Sequence, residues 1–291
     1  MNQGWTYRDQ VDETGQTVLD FFTQRYRHST QLEWQARLTG GLIHLDGQPT
    51  TGTTRLKAGQ VLTYHRPPWQ EPPVPLDFTL VYQDPWVWVV AKPNGLPVLP
   101  GGGFVEHTLL HQLQVRYPDC TVRPVLRLGR GTSGLLLLAT PPARAHLSQQ
   151  LREGKLFKSY RALVTGHPPA DQFSIATPIG LVPHPLLGQI WANTPTGRAA
   201  LSHCQVLRRN PTTSLLSVQI PTGRPHQIRI HLASVGHPLW HDPLYGPEGQ
   251  PSGENVPGDT GYLLHAEHLG FEHPHSGAWL ALTCPPPEPL Q

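Results

Sequence analysis

At 291 residues and 32.3 kDa the chain can bury a sizeable core and accommodates one large domain plus a small one. Only 14% of its residues are charged, while Pro (33) and Gly (28) are frequent, which indicates many loops and turns between apolar runs rather than a charged disordered chain. Cys120, Cys204 and Cys284 are far apart and form no CxxC pair, the Met1–Trp5 start lacks a signal-peptide core, and Leu135–Ala139 is too short to span a bilayer; these features exclude a disulfide framework and a membrane protein and point to the cytoplasm.

In chain order, Thr17–Arg27 places Val18, Phe21, Phe22 and Arg25 at helical spacing, and Leu32–Leu38 continues as a second short helix that Gly40-Gly41 ends. Leu42–Leu45 reads as a strand, Asp46-Gly47 and Ala58-Gly59-Gln60 as turns, and Val61–Tyr64 as a second strand. Arg25, Arg27, Arg37, Arg55 and Lys57 are scattered through this part. The proline-rich run Arg66–Pro75 is a stiff, extended linker that separates a small domain over 15–70 from a large one over 76–291.

Beyond the linker, Leu80–Tyr82 and Trp86–Ala91 flank an Asp84-Pro85 turn, and Lys92-Pro93-Asn94-Gly95 closes that hairpin. Strand-like runs recur at Leu135–Ala139, Tyr160–Val164, Leu201–Val206, Leu215–Ile220 and Trp279–Leu282, with helices at Ala143–Glu153 and His226–Val235. Strands outnumber helices without regular alternation, so the expected class is α+β with a mixed or antiparallel sheet. Charge is unevenly spread. His107–Val235 holds 14 Lys and Arg against three acids (Asp119, Glu153, Asp171), leaving 8 basic and 17 acidic residues elsewhere. A basic block of this kind suits either a polyanion-binding cleft or a solvated basic face.

Gly129-x-Gly131-x-x-Gly134 matches a dinucleotide-binding pattern in letters only. Its last glycine opens Leu-Leu-Leu-Leu-Ala, and Pro141-Pro142 follows, so there is no helix to hold a pyrophosphate and no nucleotide cofactor is expected. His265, His268, His273 and His275 invite a metal site, but metal clusters come with acidic or cysteine partners at regular spacing, and no metal is expected. In Thr222–Ala233, Thr222 or Gly223 can cap a helix, Pro225 fits its first turn, and Ile228, Leu232 and Val235 share a face. Arg224 beside that N-terminus makes a phosphate site, whereas Arg229, near the buried face, requires an anionic or hydrogen-bonding partner.

Arg127-Leu128-Gly129-Arg130-Gly131-Thr132-Ser133-Gly134 and the following strand resemble the signature of the RluA-type RNA pseudouridine synthases, His-Arg-Leu-Asp-x-x-Thr-Ser-Gly. The resemblance extends to Lys92-Pro93-Asn94-Gly95, Lys158-Ser159-Tyr160, Thr222–His231, Gly236-His237-Pro238 and Asp242–Gly246, and the small domain resembles an α-L RNA-binding module of the ribosomal-protein type. It implies a mostly antiparallel sheet with a central cleft. It also implies isomerisation of uridine to pseudouridine in structured RNA (rRNA or tRNA) by base flipping, without cofactor or metal, by a monomer. Tyr160 corresponds to the tyrosine that stacks on the target base and Arg127 to the arginine inserted into the RNA. Arg130, Lys158, Arg224, His226, Arg25 and Arg37 are further RNA-binding candidates.

Two positions depart from the pattern: Leu126 replaces His, and Gly129 replaces the catalytic Asp, which is thought to act as nucleophile at C1′ or base at C2′ of the ribose. In the family the arginine at Arg229 pairs with that Asp, so Arg229 is expected to lack its partner, and Asp242 is the candidate for an acid from elsewhere. Retention of Arg127, Tyr160 and Arg229 favours a working synthase. Gly129 favours the alternative, a catalytically silent RNA-binding protein or RNA chaperone.

Overall fold

The computed structural model describes every residue except Arg27 and Glu254, and the chain divides into two compact units, Met1–Glu71 and Pro72–Gln291. Arg27, one of the basic residues noted above, therefore lies outside the described residues.

In the first unit, β1 (Trp5–Gln10) precedes α1 (Val18–Arg25) and α2 (Gln31–Thr39), followed by β2 (Ile43–Leu45), β3 (Gln48–Pro49) and β4 (Val61–Arg66). Threonines begin both helices: Thr17 accepts from the Asp20 amide, and Thr30 forms a capping box with Glu33. Phe21, Phe22, Trp34, Leu38, Ile43, Leu62 and Tyr64 pack into one core between the helices and an antiparallel sheet of order β1-β4-β2-β3. The strand β1 lies outside the 15–70 span expected from sequence. It is an edge strand with no buried residue, so it carries no apolar alternation to reveal it.

The second unit runs β5 (Thr79–Gln83), β6 (Val87–Lys92), α3 (Leu109–Arg116), β7 (Arg123–Pro124), β8 (Thr132–Ala139), α4 (Pro141–Arg152), β9 (Phe157–Thr165), β10 (Gln172–Ile175), β11 (Ile179–His184), β12 (Gly188–Asn193), β13 (Ser202–Arg209), β14 (Thr213–Gln219), α5 (Gln227–Ser234), β15 (Leu264–Glu272) and β16 (Trp279–Thr283). Its main sheet has the order β10-β13-β14-β9-β15-β8-β6-β5, with β16 on β15 and β7 on β8. The β15–β8 pair is parallel and the other pairs are antiparallel, while β11 and β12 form a separate hairpin. The class is α+β with a mixed, mostly antiparallel sheet.

The strand β8 is buried along its whole length because both faces of the sheet are covered there. Leu136 and Leu138 enter one core with Leu109 and Leu113 of α3 and Ile228 and Leu232 of α5. Leu135 and Leu137 enter another with Ala143 and Leu147 of α4 and Phe271 of β15. Alternation along a strand thus sends successive leucines to opposite cores, which explains an unbroken apolar run. Gly134, at φ +99°, lies where the backbone of Ala266 approaches too closely for any Cβ. Pro141-Pro142 begins α4 rather than stopping it, since the first helical turn needs no N–H bond.

The Lys92-Pro93-Asn94-Gly95 turn holds the loop that precedes β8. Lys92 Nζ donates to the carbonyls of Pro93 (2.8 Å), Leu96 (2.9 Å) and Arg130 (3.2 Å), and the Gly95 amide donates to Arg130 O as well (2.8 Å). Burial pushes the ammonium down to about 7, and three acceptors match its three N–H groups. Replacing Lys92 with Met removes the ammonium's bonds to the Pro93 and Leu96 carbonyls and leaves Arg130 O with the Gly95 amide alone, so urea unfolding is expected to show a loss of about 2–4 kcal/mol.

Candidate active-site cleft

Neighbouring strands β9, β15 and β8 bring distant parts of the second unit together at one end of the sheet. Tyr160 on β9 pairs in register with Ala266 on β15, and Leu264 on β15 pairs with Thr132 on β8. A cleft of about 900 Å³ opens there, and its lining includes Arg127, Gly129, Lys158, Tyr160, Arg229 and Tyr262. Among its described lining residues are five arginines and one lysine, with no Asp or Glu. The cleft is therefore cationic and suited to a phosphate backbone.

Arg229 has a partner, contrary to the expectation from sequence. Its Nε and Nη2 donate to Oδ2 and Oδ1 of Asp242 at 2.7 and 2.6 Å, with the two side chains 3% and 0% exposed. Asp242 Oδ1 also accepts the amides of Leu244 (2.9 Å) and Tyr245 (3.1 Å). The guanidinium lies 4.2 Å from the Tyr262 ring centroid and 5.1 Å from that of Tyr245. Burial alone would disfavour its charge, but the Asp242 hydrogen bonds outweigh that and raise its pKa. Asp242 is thus committed to Arg229 and the following turn, and it does not line the cleft.

Position 129 is exposed on the cleft wall and is not in the left-handed region. A Cβ there would lie 2.9 Å from Tyr262 Oη and 3.6 Å from Thr132 Oγ1, and one on Gly131 would lie 2.9 Å from Tyr262 Cζ. The phenol lies on the Gly129–Gly131 segment and fills the space that a side chain at 129 would enter. Tyr262 Oη is 3.3 Å from Thr132 Oγ1.

The helix α5 begins at Gln227, later than Pro225, and neither Thr222 nor Gly223 caps it. His226 precedes it at φ 55°, and Thr222 Oγ1 and the Arg224 amide donate instead to Gln227 Oε1 (2.8 and 3.0 Å). A side chain from inside the helix folds back to satisfy the turn. Tyr245 Oη donates to Trp191 O (2.7 Å), so at 2.7 Å it accepts from Nδ1–H of His226. Burial, then the Arg229 charge, pushes His226 down to about 4, leaving it neutral at pH 7.

Lys158 also lines the cleft, donates to Thr222 O (3.3 Å), and is lowered by burial to about 8. Burial raises the Tyr160 phenol to about 12. Arg224 lines the cleft and donates through Nε to Ala199 O (3.0 Å).

Other sequence candidates sit elsewhere. Arg130 turns from the cleft to lie 5.2 Å from the Phe104 ring centroid. In the first unit, Arg25 pairs with Asp9 at 3.4 Å, and Arg37 lies over Trp34 (4.2 Å) while donating to Ser29 Oγ (2.9 Å). His265 bonds Ser133 Oγ (2.9 Å) and Cys284 O (3.0 Å), and His273 bonds Asp84 (2.7 Å). No group of three or more His, Cys, Asp or Glu among the described residues is arranged to hold a metal. Sequence reasoning missed Tyr262 and Trp191. Their only local signal is an aromatic residue near a strand end, which does not tell a cleft wall from a core.

The model of the RNA pseudouridylate synthase family matches residues 86–234. The chain is 48% identical to an uncharacterized RNA pseudouridine synthase of Synechocystis sp., over 93% of this chain and 94% of that protein. It is 38% identical to RNA pseudouridine synthase 5 of Oryza sativa, over 100% and 89% of the two chains. It is 34% identical to ribosomal large subunit pseudouridine synthase D of Neisseria meningitidis, over 91% and 73%. In fold it is similar to human RNA Pseudouridylate Synthase Domain Containing 1, with a TM-score of 0.57 and 23% identity over 74% of this chain and 86% of that one. Among the described residues no helix is long and apolar enough to cross a membrane.

Two substitutions test this arrangement. Asp242→Ala leaves a buried guanidinium uncompensated and is expected to lower stability by about 3–5 kcal/mol in chemical unfolding. Gly129→Asp must push Tyr262 aside and finds Arg229 already neutralised, so a lower melting temperature is expected, corresponding to about 1–3 kcal/mol. A rise in melting temperature would mean that the new carboxylate had captured Arg229.

Proposed function

The chain belongs to the RNA pseudouridylate synthase family, and from that premise we propose that it isomerises a uridine of rRNA or tRNA to pseudouridine after drawing the nucleotide into the cationic cleft. The observation that carries this reading is the convergence of Arg127, Tyr160 and Arg229 on one cleft whose described lining has no acid. Phosphates on either side of the target meet arginines, and the extruded base meets an aromatic face, as a base removed from its stack requires. The breaking bond joins base to ribose and the new one joins the same two parts, so the net reaction calls for no co-substrate. We place the protein in the cytoplasm, acting as a monomer, with the basic residues of the first unit adding RNA contacts.

The deciding experiment incubates purified protein with unmodified rRNA and tRNA transcripts and quantifies pseudouridine by mass spectrometry. Conversion of uridine is the expected result. RNA binding without conversion would instead support the silent RNA-binding reading, which the lack of an acid at residue 129 favours.

Tyr160→Ala should weaken capture of the flipped base by about 1–3 kcal/mol while Tyr160→Phe is nearly neutral, as reported by a fluorescent base analogue at the target. Equal damage from both would assign the work to the hydroxyl.

Affinity for single-stranded RNA should fall with salt by a log–log slope of about −0.7 per phosphate contact, and Arg224→Ala should flatten it by one contact. Because burial lowers Lys158 to about 8, its charge is present at pH 7 and is lost as the pH rises through that value. The slope should therefore lose up to one further contact by pH 9 in the wild type and none in Lys158→Met.

A further inference from the structure

Among the described residues the cleft presents no acid where the reaction would use one, yet the place is not empty. A side chain at residue 129 would begin 2.9 Å from Tyr262 Oη, so this oxygen occupies the region from which a residue-129 group would act. Tyr262 reaches it from the far end of the chain, just before β15, and it lines the cleft. Its ring lies on Gly129 and Gly131, each of which would collide with it if it carried a Cβ. On its other side the Arg229 guanidinium is 4.2 Å from the ring centroid, so the phenol stands against the arginine as the family's acid is expected to do.

The remaining groups are less suited to moving a proton. Both Asp242 oxygens are engaged by Arg229, and Oδ1 holds two backbone amides besides. His226, its Nδ1 bound to Tyr245, is pushed by burial down to about 4 and is a weak base, and Tyr160 is assigned to the face of the flipped base. Thr132 is an alcohol, and its oxygen is the hydrogen-bond neighbour of Tyr262.

Resting on the synthase reading above, we propose that Tyr262 is a catalytic residue whose Oη, once its own proton has passed to solvent, takes the proton from C2′ of the target ribose. As Oη gains that proton, the C2′–H electron pair becomes the C1′=C2′ bond, and the C1′–N1 pair departs with the uracil anion. The base turns, C5 attacks C1′, and Tyr262 returns its proton to C2′, which regenerates the phenolate. The hydrogen left on C5 then moves to N1 through water. Every atom of uridine is retained, and no oxidant, reductant or second substrate enters.

The test uses the full chain and an RNA on which the wild type forms pseudouridine. Tyr262→Phe removes one oxygen and keeps the packing on Gly129 and Gly131. It should bind RNA and unfold as the wild type does, while kcat falls by at least about 100-fold. Deuterium at C2′ of the target uridine should slow single-turnover conversion by the wild type. A Tyr262→Phe kcat within about threefold of wild type would reduce Tyr262 to a space-filling residue and overturn the proposal while leaving the synthase reading intact. Absence of an isotope effect at C2′ would overturn the proton step in the same way. Should Tyr262→Phe fail to fold, Tyr262→Ala with and without Gly129→Asp decides: rescue by the acid supports the shared position, and no rescue refutes it. A wild type that forms no pseudouridine on any RNA would overturn both readings together.

Discussion

The buried Arg229–Asp242 ion pair is the constraint on which the site depends. Removing two charges from water costs several kcal/mol per ion unless geometry and hydrogen bonding compensate. Here the fork is bidentate, and the carboxylate also gathers the amides of Leu244 and Tyr245. One acid therefore ties α5 to the turn that follows it and supplies the anion that a buried guanidinium requires. The rings of Tyr262 and Tyr245 lie 4.2 and 5.1 Å from the same guanidinium, so aromatic faces add to the carboxylate in holding the cation.

The opposite wall is held just as firmly by backbone. Lys92 and the Gly95 amide converge on the Arg130 carbonyl, and β8 continues from this loop into two cores at once. Glycine at 129 and 131 follows from the tyrosine above them, since a phenol can lie on a backbone only where no Cβ intervenes. The result is a rigid, cationic cleft with an oxygen on its wall, which is the preorganisation that chemistry on a flipped nucleotide requires.

Much of this architecture was legible because it rests on periodicity and turn chemistry. The strand β8, helix α4, the Asp46-Gly47 turn and the Pro-rich linker each announce themselves locally. Edge strand β1 does not, because none of its residues is fully buried. The hairpin β11–β12 carries Pro183 and a polar mix, and α3 follows a glycine-rich stretch that resembles loop. The span of α5 was legible to within a residue, but its cap was not, because Gln227 folds back to accept from Thr222 and Arg224.

By itself the sequence determined the fold class, the family and most of the residues that face the cleft, since those follow from short motifs and from a basic block concentrated in one span. It also showed that the acid at 129 was missing. Only the tertiary structure decided what that absence means. Tyr262 comes from outside the motifs that name the family, and it meets Arg229 and Gly129 only because the chain before β15 returns to the loop that precedes β8. Long-range packing of this kind leaves no local pattern of spacing, charge or hydropathy to read.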